Sequence, residues 1–461
     1  MPYAPLDRHL RKPLTRANAP HTFGAMQTTE GFRKSVGLAL AVLFSASNLI
    51  LAEQSSSVTH IELPASPAAD AINSLGLDLL RKTSQPERNA LLSPYSIQSA
   101  LAMTYAGAAG ATRAEMAKAL HFPANEIELH RSFANLRNQL NKAAAQSAKQ
   151  AQEAKKYGVT NDPMTLTVAN RLFGQTGYQF YPAFLDTVKD NYGAPFLPLD
   201  FVKNANGATK EINDWVSDQT HQRIQNLISP SALNDLTRLV LVNAIYLKAP
   251  WMKPFPSAAT SPQPFQIYGG KAEKVPTMVR QGKFGFAKHA GFRVISIPYN
   301  PWSLQFVIFL PDSPKGLAAV ESKLTPAMLG EYDNLKDQEI ILHLPKFKME
   351  PSAMRLSTAL QALGMKSAFD QPKGSADFSR LASRKADDYL SVSDVFHKAF
   401  ISVDEKGTEA AAATAVVMMT LGIAHEPPKP IEIKVDHPFL FAIQDRQTGA
   451  CLFLGHVFDP R

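Results

Sequence analysis

The sequence predicts an α+β fold, helix-rich in its first third and built on large mixed or antiparallel β-sheets beyond it. Capped, amphipathic helical segments precede residue 164. From Met164 onward, short runs rich in β-branched and aromatic residues alternate with Pro, Gly and Asn, the pattern of strands and turns. The 461-residue chain is 45% hydrophobic and 19% charged, enough apolar material for one big domain or two smaller ones.

Taken in order, the chain opens with an address rather than a fold. Arg33 and Lys34 precede SVGLALAVLFSASNLILA, a basic n-region and apolar h-region ending in small residues. Residues 1–52 are therefore expected to be a signal segment, cleaved near Ala52 or after Ser47, with Met26 as an alternative start. Removing them takes away six Lys/Arg and two Asp/Glu, so the formal net charge falls from +8 to +4. The basic excess is mostly leader, and neither a nucleic-acid nor a membrane-surface partner follows from it. An exported chain with one cysteine, Cys451, forms no internal disulfide, and its setting in ACLFLGHVF makes that thiol a buried hydrophobe.

A short polar linker over 53–63 leads toward an amphipathic helix whose Ile72, Leu75 and Leu79 share a face. Ser93-Pro94 supplies a helix cap and first-turn proline, with Ile97 and Leu101 behind it. Thr112 with Glu115 three residues on predicts a capping box. NKAAAQSAKQAQEAKKYG, residues 141–158, has good helix propensity and little apolar face, so it reads as an exposed helical extension or a disordered insert. Its lysines suit a solvated face better than a polyanion site. NDWVSDQTHQRIQNLI, residues 213–228, predicts a helix, while TRLVLVNAIYL, RVISIPY, SLQFVIFLP and EIILHLPKF predict strands. Near the C-terminus IEIKV alternates, and HPFLFAIQDRQTGACLFLGHVF predicts two buried strands joined by a polar turn at Thr448-Gly449.

Enzymatic signatures are missing. The chain has no Cys pair or His-x-x-x-His spacing for zinc, no phosphate loop and no Gly-x-Ser-x-Gly elbow. His397, His425 and His437 read as core or loop histidines rather than catalytic bases. No catalytic role, metal or cofactor is expected.

The segment from Asp404 to Pro430, DEKGTEAAAATAVVMMTLGIAHEPPKP, is too apolar for a solvated linker and too short for a membrane span. With period two, Thr408, Ala410, Ala412, Thr414, Val416 and Met418 share one face, and Glu409 begins the other, solvent-facing one. Small leading residues suit a strand that enters an existing sheet, having little bulk to force between its neighbours. Gly407 supplies a permissive pivot where entry begins.

At these residues the chain resembles the serpin family. DEKGTEAAAA resembles the inhibitory hinge, formed here by Glu405, Gly407, Thr408, Glu409, Ala410, Ala411, Ala412 and Ala413. LLSPYSIQSALAMTYAGAAGATRAEM, LVNAIYLKAPWMKPF, ADFSRL, VFHKAFISVDEKG and HPFLFAIQDRQTGACLFLGHVFDPR match further family segments in order, from about Pro64 to Arg461. The resemblance implies a single serpin domain over 64–461 with an exposed reactive loop at about 405–430. Its implied function is a suicide-substrate inhibitor of serine endopeptidases, whose cleaved loop inserts into the main sheet and arrests the acyl-enzyme.

Family spacing implies the reactive bond Leu421-Gly422, with Met418 and Met419 as alternatives, and a large apolar side chain there favours chymotrypsin-like targets. Ser93, Ser96, Asn243 and His397 match the polar cluster beneath the sheet opening, and Trp251 the top of the sheet where insertion begins. A monomer is expected, secreted or periplasmic, with no nucleic-acid partner and no membrane association once the signal is removed. The alternatives are a non-inhibitory serpin, disfavoured by Thr408 and the four alanines, and an exported hydrolase with an unmarked triad.

Overall fold

Capping chemistry sets the starts of the first helices. In α1 (Pro67–Thr83) the Ser66 hydroxyl accepts from Ala69 N, Pro67 opens the first turn, and Ile72, Leu75 and Leu79 are fully buried. The computed structural model describes residues 66–461 apart from 86, 159–161, 236, 268–269, 332–334, 386–388 and 410–428. The expected leader, the linker, His425 and the loop over 410–428, with the hinge alanines Ala410, Ala411, Ala412 and Ala413 and the reactive bond, lie outside the described residues.

Strand β1 (Ala90–Leu92) leads into α2 (Pro94–Gly107), capped by Ser93 and buried along its whole length. Helix α3 (Gly110–Ala119) corrects the capping-box expectation. It starts at Ala109 without a side-chain cap, and Thr112 lies inside its first turn. Thr112 Oγ1 accepts from Asp377 N at 2.9 Å. Glu115 instead accepts from Lys366 N, Ser367 N and the Ser367 hydroxyl, at 2.7–2.9 Å, and so caps a 3₁₀ turn some 250 residues away. Those three donors outweigh the burial that opposes ionisation and hold its carboxyl below the ordinary glutamate range.

Helix α4 (Glu126–Lys156) continues unbroken through the Ala- and Lys-rich stretch, so that stretch is an exposed helical extension. Acidic Glu126 and Glu128 at its start and Lys155 and Lys156 at its end complement the helix dipole. Beyond Ser147 no residue of this helix is buried, among the described residues.

Then come β2 (Thr165–Gln175), α5 (Pro182–Tyr192), β3 (Leu197–Leu199), α6 (Phe201–Gln219) and β4 (Leu239–Pro250). Helix α6 stops short of the predicted end near residue 228. Thr220 turns its hydroxyl back to the Val216 carbonyl and accepts from Ile224 N, and His221 and Gln222 take left-handed φ of 50° and 64°.

The remaining elements are β5 (Ser261–Gln266), β6 (Ala272–His289), β7 (Phe292–Pro298), β8 (Leu304–Pro311), α7 (Leu317–Lys323), α8 (Pro326–Gly330), β9 (Lys336–Pro345), β10 (Phe347–Met349), β11 (Met354–Arg355) and α9 (Ser357–Ala362). After them run β12 (Val395–Ala399), β13 (Ile401–Asp404), β14 (Gly407–Thr408), β15 (Ile431–Lys434), β16 (Phe439–Asp445) and β17 (Cys451–Val457).

Among the described residues the strands form two sheets. The first runs β1-β17-β16-β8-β7-β6-β9-β15, with β5 on β6. The second runs β10-β13-β14-β4-β12-β11, with β2 on β4 and β3 on β2. β16 and β17 are the predicted buried pair, and Gly449 at their turn has φ of 71°, with room for no Cβ beside the Gly330 backbone.

In β4 the two-residue period separates two cores. Leu239, Leu241, Ile245 and Leu247 belong to the large core shared with α1 and α2, whereas Val240, Val242 and Ala244 pack with Phe201, Ile212 and Val216 of α6. Asn243 sits on the large-core face, so its amide needs polar partners there.

Candidate functional site

One edge of β4 is fully occupied by antiparallel β2, from Leu239 to Lys248. The other edge is shared. β12 pairs with it in parallel over Leu241–Ile245, and β14 pairs antiparallel at its far end, Gly407 opposite Pro250 and Thr408 opposite Ala249. On its other side β14 pairs with β13, Thr408 opposite Val403. The hinge has thus entered the sheet for two residues.

Its base is held by fixed polar contacts. Asp404 Oδ1 accepts from Lys406 N at 2.8 Å and Gly407 N at 3.3 Å, which turns the chain back. Trp251 Nε1 donates to the Asp404 carbonyl at 2.9 Å, Trp251 N to the Lys406 carbonyl and Phe255 N to the Glu405 carbonyl, both at 2.8 Å. Glu405 receives Lys346 Nζ at 2.8 Å and the Thr260 hydroxyl at 2.9 Å. Burial works against its ionisation, but these partners prevail and keep its carboxyl below the usual range.

A Cβ at Gly407 would come within 2.1 Å of the Ala249 carbonyl oxygen, so only glycine allows the backbones of β14 and β4 to meet. Thr408 is 1% exposed, and its hydroxyl lies 2.5 Å from the Tyr299 hydroxyl. Tyr299 stacks on buried Trp251 at 4.6 Å between ring centroids. This aromatic pair makes the floor under the hinge.

Glu409 departs from expectation. The sequence puts its face in solvent, whereas its side chain is 11% exposed and ion-paired with Arg223. The reason lies in its backbone. With Thr408 locked in the sheet, Glu409 takes φ of 46° while its N–H still reaches the Ser402 carbonyl, and this folds the carboxylate under the guanidinium. Burial raises its carboxyl pKa against the opposing pull of Arg223.

The second group of predicted residues lies down β4. Asn243 is about 26 Å from Trp251 along an extended strand. Here His397 Nδ1 and Asn243 Oδ1 are 2.7 Å apart, and Ser93 N donates to His397 Nε2 at 3.1 Å. Because Nε2 accepts, the ring is the neutral Nδ1–H tautomer and donates to Asn243. Asn243 Nδ2 passes the chain on to Ser96 Oγ at 2.5 Å and Asn170 Oδ1 at 2.9 Å, and Ser96 Oγ donates to Asn170 Oδ1 at 3.2 Å. Ser93 caps α2 and donates to the Leu452 carbonyl at 2.7 Å. Full burial lowers the His397 pKa to about 3. The network ties β12 to β4, β2 and α2 across the line where those two strands meet.

Asn170 was missed in the sequence reading, although a signal exists. It occupies the slot of an apolar residue in the alternation Leu166, Val168, Asn170, Leu172. Arg223, Lys346, Thr260 and Tyr299 leave no such mark, since each reaches the hinge from a distant element. His437 is a satisfied buried histidine, between Asp436 Oδ1 and the Pro311 carbonyl. Cys451 is fully buried, and burial pushes its thiol up to about 12 despite a Gln444 hydrogen bond.

A strand seated at the mouth of a seam in a β-sheet, above a polar clasp, defines a protein built around strand insertion. The sequence profile of the family described as serpin (serine protease inhibitor) matches residues 70–460. A leukocyte elastase inhibitor of Xenopus tropicalis is 37% identical over 401 residues, covering 85% of this chain and 99% of that protein. The namesake of Sus scrofa is 37% identical, with 83% and 97% covered. Among solved structures, Serpin48 of the insect Tenebrio molitor, described as highly specific, superposes with a TM-score of 0.71 at 31% identity, covering 87% of this chain and 100% of that one. The chain belongs to the serpin family.

Proposed function

We propose that this protein is a suicide-substrate inhibitor of serine endopeptidases. The carrying observation is the register of the hinge. Continued along β4 from Thr408 opposite Ala249, the same antiparallel pairing would set Thr414 opposite Asn243, and along the other neighbour opposite His397. A strand that continued this pairing would therefore run down the seam that the His397–Asn243 bond closes. Its small residues meet little steric resistance there, and each one seated recovers two rows of backbone hydrogen bonds.

The chemistry follows from that placement. A protease serine attacks the Leu421 carbonyl, the Gly422 amine leaves, and the acyl-enzyme ester remains on Leu421. Insertion of the freed strand then outruns hydrolysis of the ester. Seventeen residues counted from Glu405 reach ~56 Å when extended, enough to carry the attached protease across the domain. The unfilled seam makes the uncut protein kinetically rather than thermodynamically stable.

Mixing the protein with chymotrypsin should yield a denaturant-stable adduct near the sum of the two masses and a new N-terminus at Gly422. Cleavage in the loop with no adduct would refute the inhibitory reading. Leu421 favours chymotrypsin-like proteases, and the names of the relatives add leukocyte elastase to the panel. We further infer export through the 1–52 signal and a monomeric state. The Arg33-Lys34 pair and the apolar run behind it support export, and N-terminal sequencing of the protein from its natural source tests it. Sedimentation tests the monomer.

A further inference from the structure

Helix α6 starts twice. Asp200 caps its first turn through Lys203 N; Asn204 then leaves the helical region, at φ of −146° and ψ of 54°, and caps the longer part that follows, its Oδ1 accepting from Gly207 N at 3.0 Å. We propose that Asn206 is a spontaneous deamidation site and that the Asn204 cap sets its rate. Asn206 is exposed and heads the single Asn-Gly pair in the chain. In the reaction the Gly207 nitrogen gives its proton to a base and attacks Asn206 Cγ; a C–N bond forms and ammonia leaves. Water then opens the succinimide at either carbonyl, leaving aspartate or isoaspartate at position 206.

The local structure supplies both the reactivity and its control. A glycine nitrogen is unhindered, and glycine tolerates the backbone rotations that closing the five-membered ring needs. Asn206 is helical, which holds that nitrogen away from Cγ, so the turn must fray before the ring can close. Fraying costs least at a helix start, where the leading N–H groups have no partner within the helix. Gly207, third after the cap, is such a residue, and the exposed Asn204 side chain is what holds its N–H. A Cβ at position 207 would come within 2.2 Å of Asn204 Nδ2, so the glycine that makes the site reactive also lets the cap seat. Aspartate here suits the helix dipole, whereas isoaspartate puts an extra methylene into the backbone of the turn. Just beyond it Ala208, Ile212 and Val216 share one apolar cluster with Val242 and Ala244 of β4 and Phe396 of β12, so the change falls on the helix that covers the seam. The chemistry does not rest on the inhibitory reading.

The test is peptide mapping of the folded full chain after storage in warm, mildly alkaline buffer, beside the synthetic peptide NANGATK. Lys203 and Lys210 flank the site, so trypsin releases residues 204–210 as one peptide. Electron-transfer fragmentation then places the change at 204 or 206 and tells isoaspartate from aspartate. Asn206 should convert ahead of every other asparagine, mostly to isoaspartate, and more slowly than in the free peptide. Asn204→Ala removes the cap and should speed conversion in the folded chain about fivefold. Asn204→Asp keeps a capping oxygen and should leave the rate at the wild-type value. Peptides carrying the same substitutions correct for any change in intrinsic rate. An unmodified Asn206 when the free peptide has fully converted, another asparagine converting first, or equal corrected rates in Asn204→Ala and wild type would each overturn the proposal.

Discussion

Acid should weaken the clasp in the seam by an amount the structure specifies. His397 is fully buried and neutral, donating from Nδ1 to Asn243 and accepting at Nε2 from Ser93 N. Full burial disfavours the charged ring, which is why its pKa falls from 6.5 to about 3. In the unfolded chain the same ring titrates near its ordinary value. Between those two pH values the unfolded state binds the extra proton, so stability rises with pH there. The contribution of neutral His397 is therefore fully present above about pH 6.5 and erodes as pH falls toward 3, at roughly 1.4 kcal/mol per unit.

At pH 4.5, two units into that window, the loss is about 2–3 kcal/mol. His397→Gln preserves an acceptor and a donor without the titration. Urea unfolding midpoints at pH 7 and pH 4.5 for both proteins give the double difference, in which the carboxylates common to both cancel. Wild type should lose about 2–3 kcal/mol more than the variant. Equal losses in the two proteins would refute the reasoning, because the buried ring would then not be the group that titrates.

Thr408→Arg should convert inhibitor into substrate, since the guanidinium must be stripped of water inside the sheet or leave it; the adduct yield per mole cleaved should collapse. Unchanged adduct yield would count against hinge entry. Glu405→Lys places a cation against Lys346 and removes hydrogen bonds to a charged group worth roughly 1.5–3 kcal/mol each, so the thermal midpoint should drop and proteolysis at the hinge base should quicken. Asn170→Ala leaves Ser96 Oγ and Asn243 Nδ2 without their shared acceptor, at a cost of roughly 1–3 kcal/mol read in urea unfolding, while a loss near zero would show that the clasp closes without it.

Much of the fold was legible because its causes are local. The Ser93-Pro94 cap, the Ile72, Leu75 and Leu79 stripe and the β16–β17 pair follow from neighbours a few residues apart. The Thr112–Glu115 box misled for the opposite reason. Its spacing is right, but Ser367 offers Glu115 better donors from across the chain. Helix α6 ends early because the Thr220 hydroxyl competes for its own backbone, an interaction that helical periodicity does not register.

By itself the sequence determined the α+β class, the order of the main elements and the family resemblance, all of which depend on short-range chemistry or motif. Only the tertiary structure decided that Gly407 and Thr408 already sit in the sheet, that Glu409 folds under Arg223, and that Asn170 completes the clasp. Those contacts join residues 73 to 186 positions apart. Such pairings arise when two sheets and their helices close on a common core, and no local pattern of side chains records them.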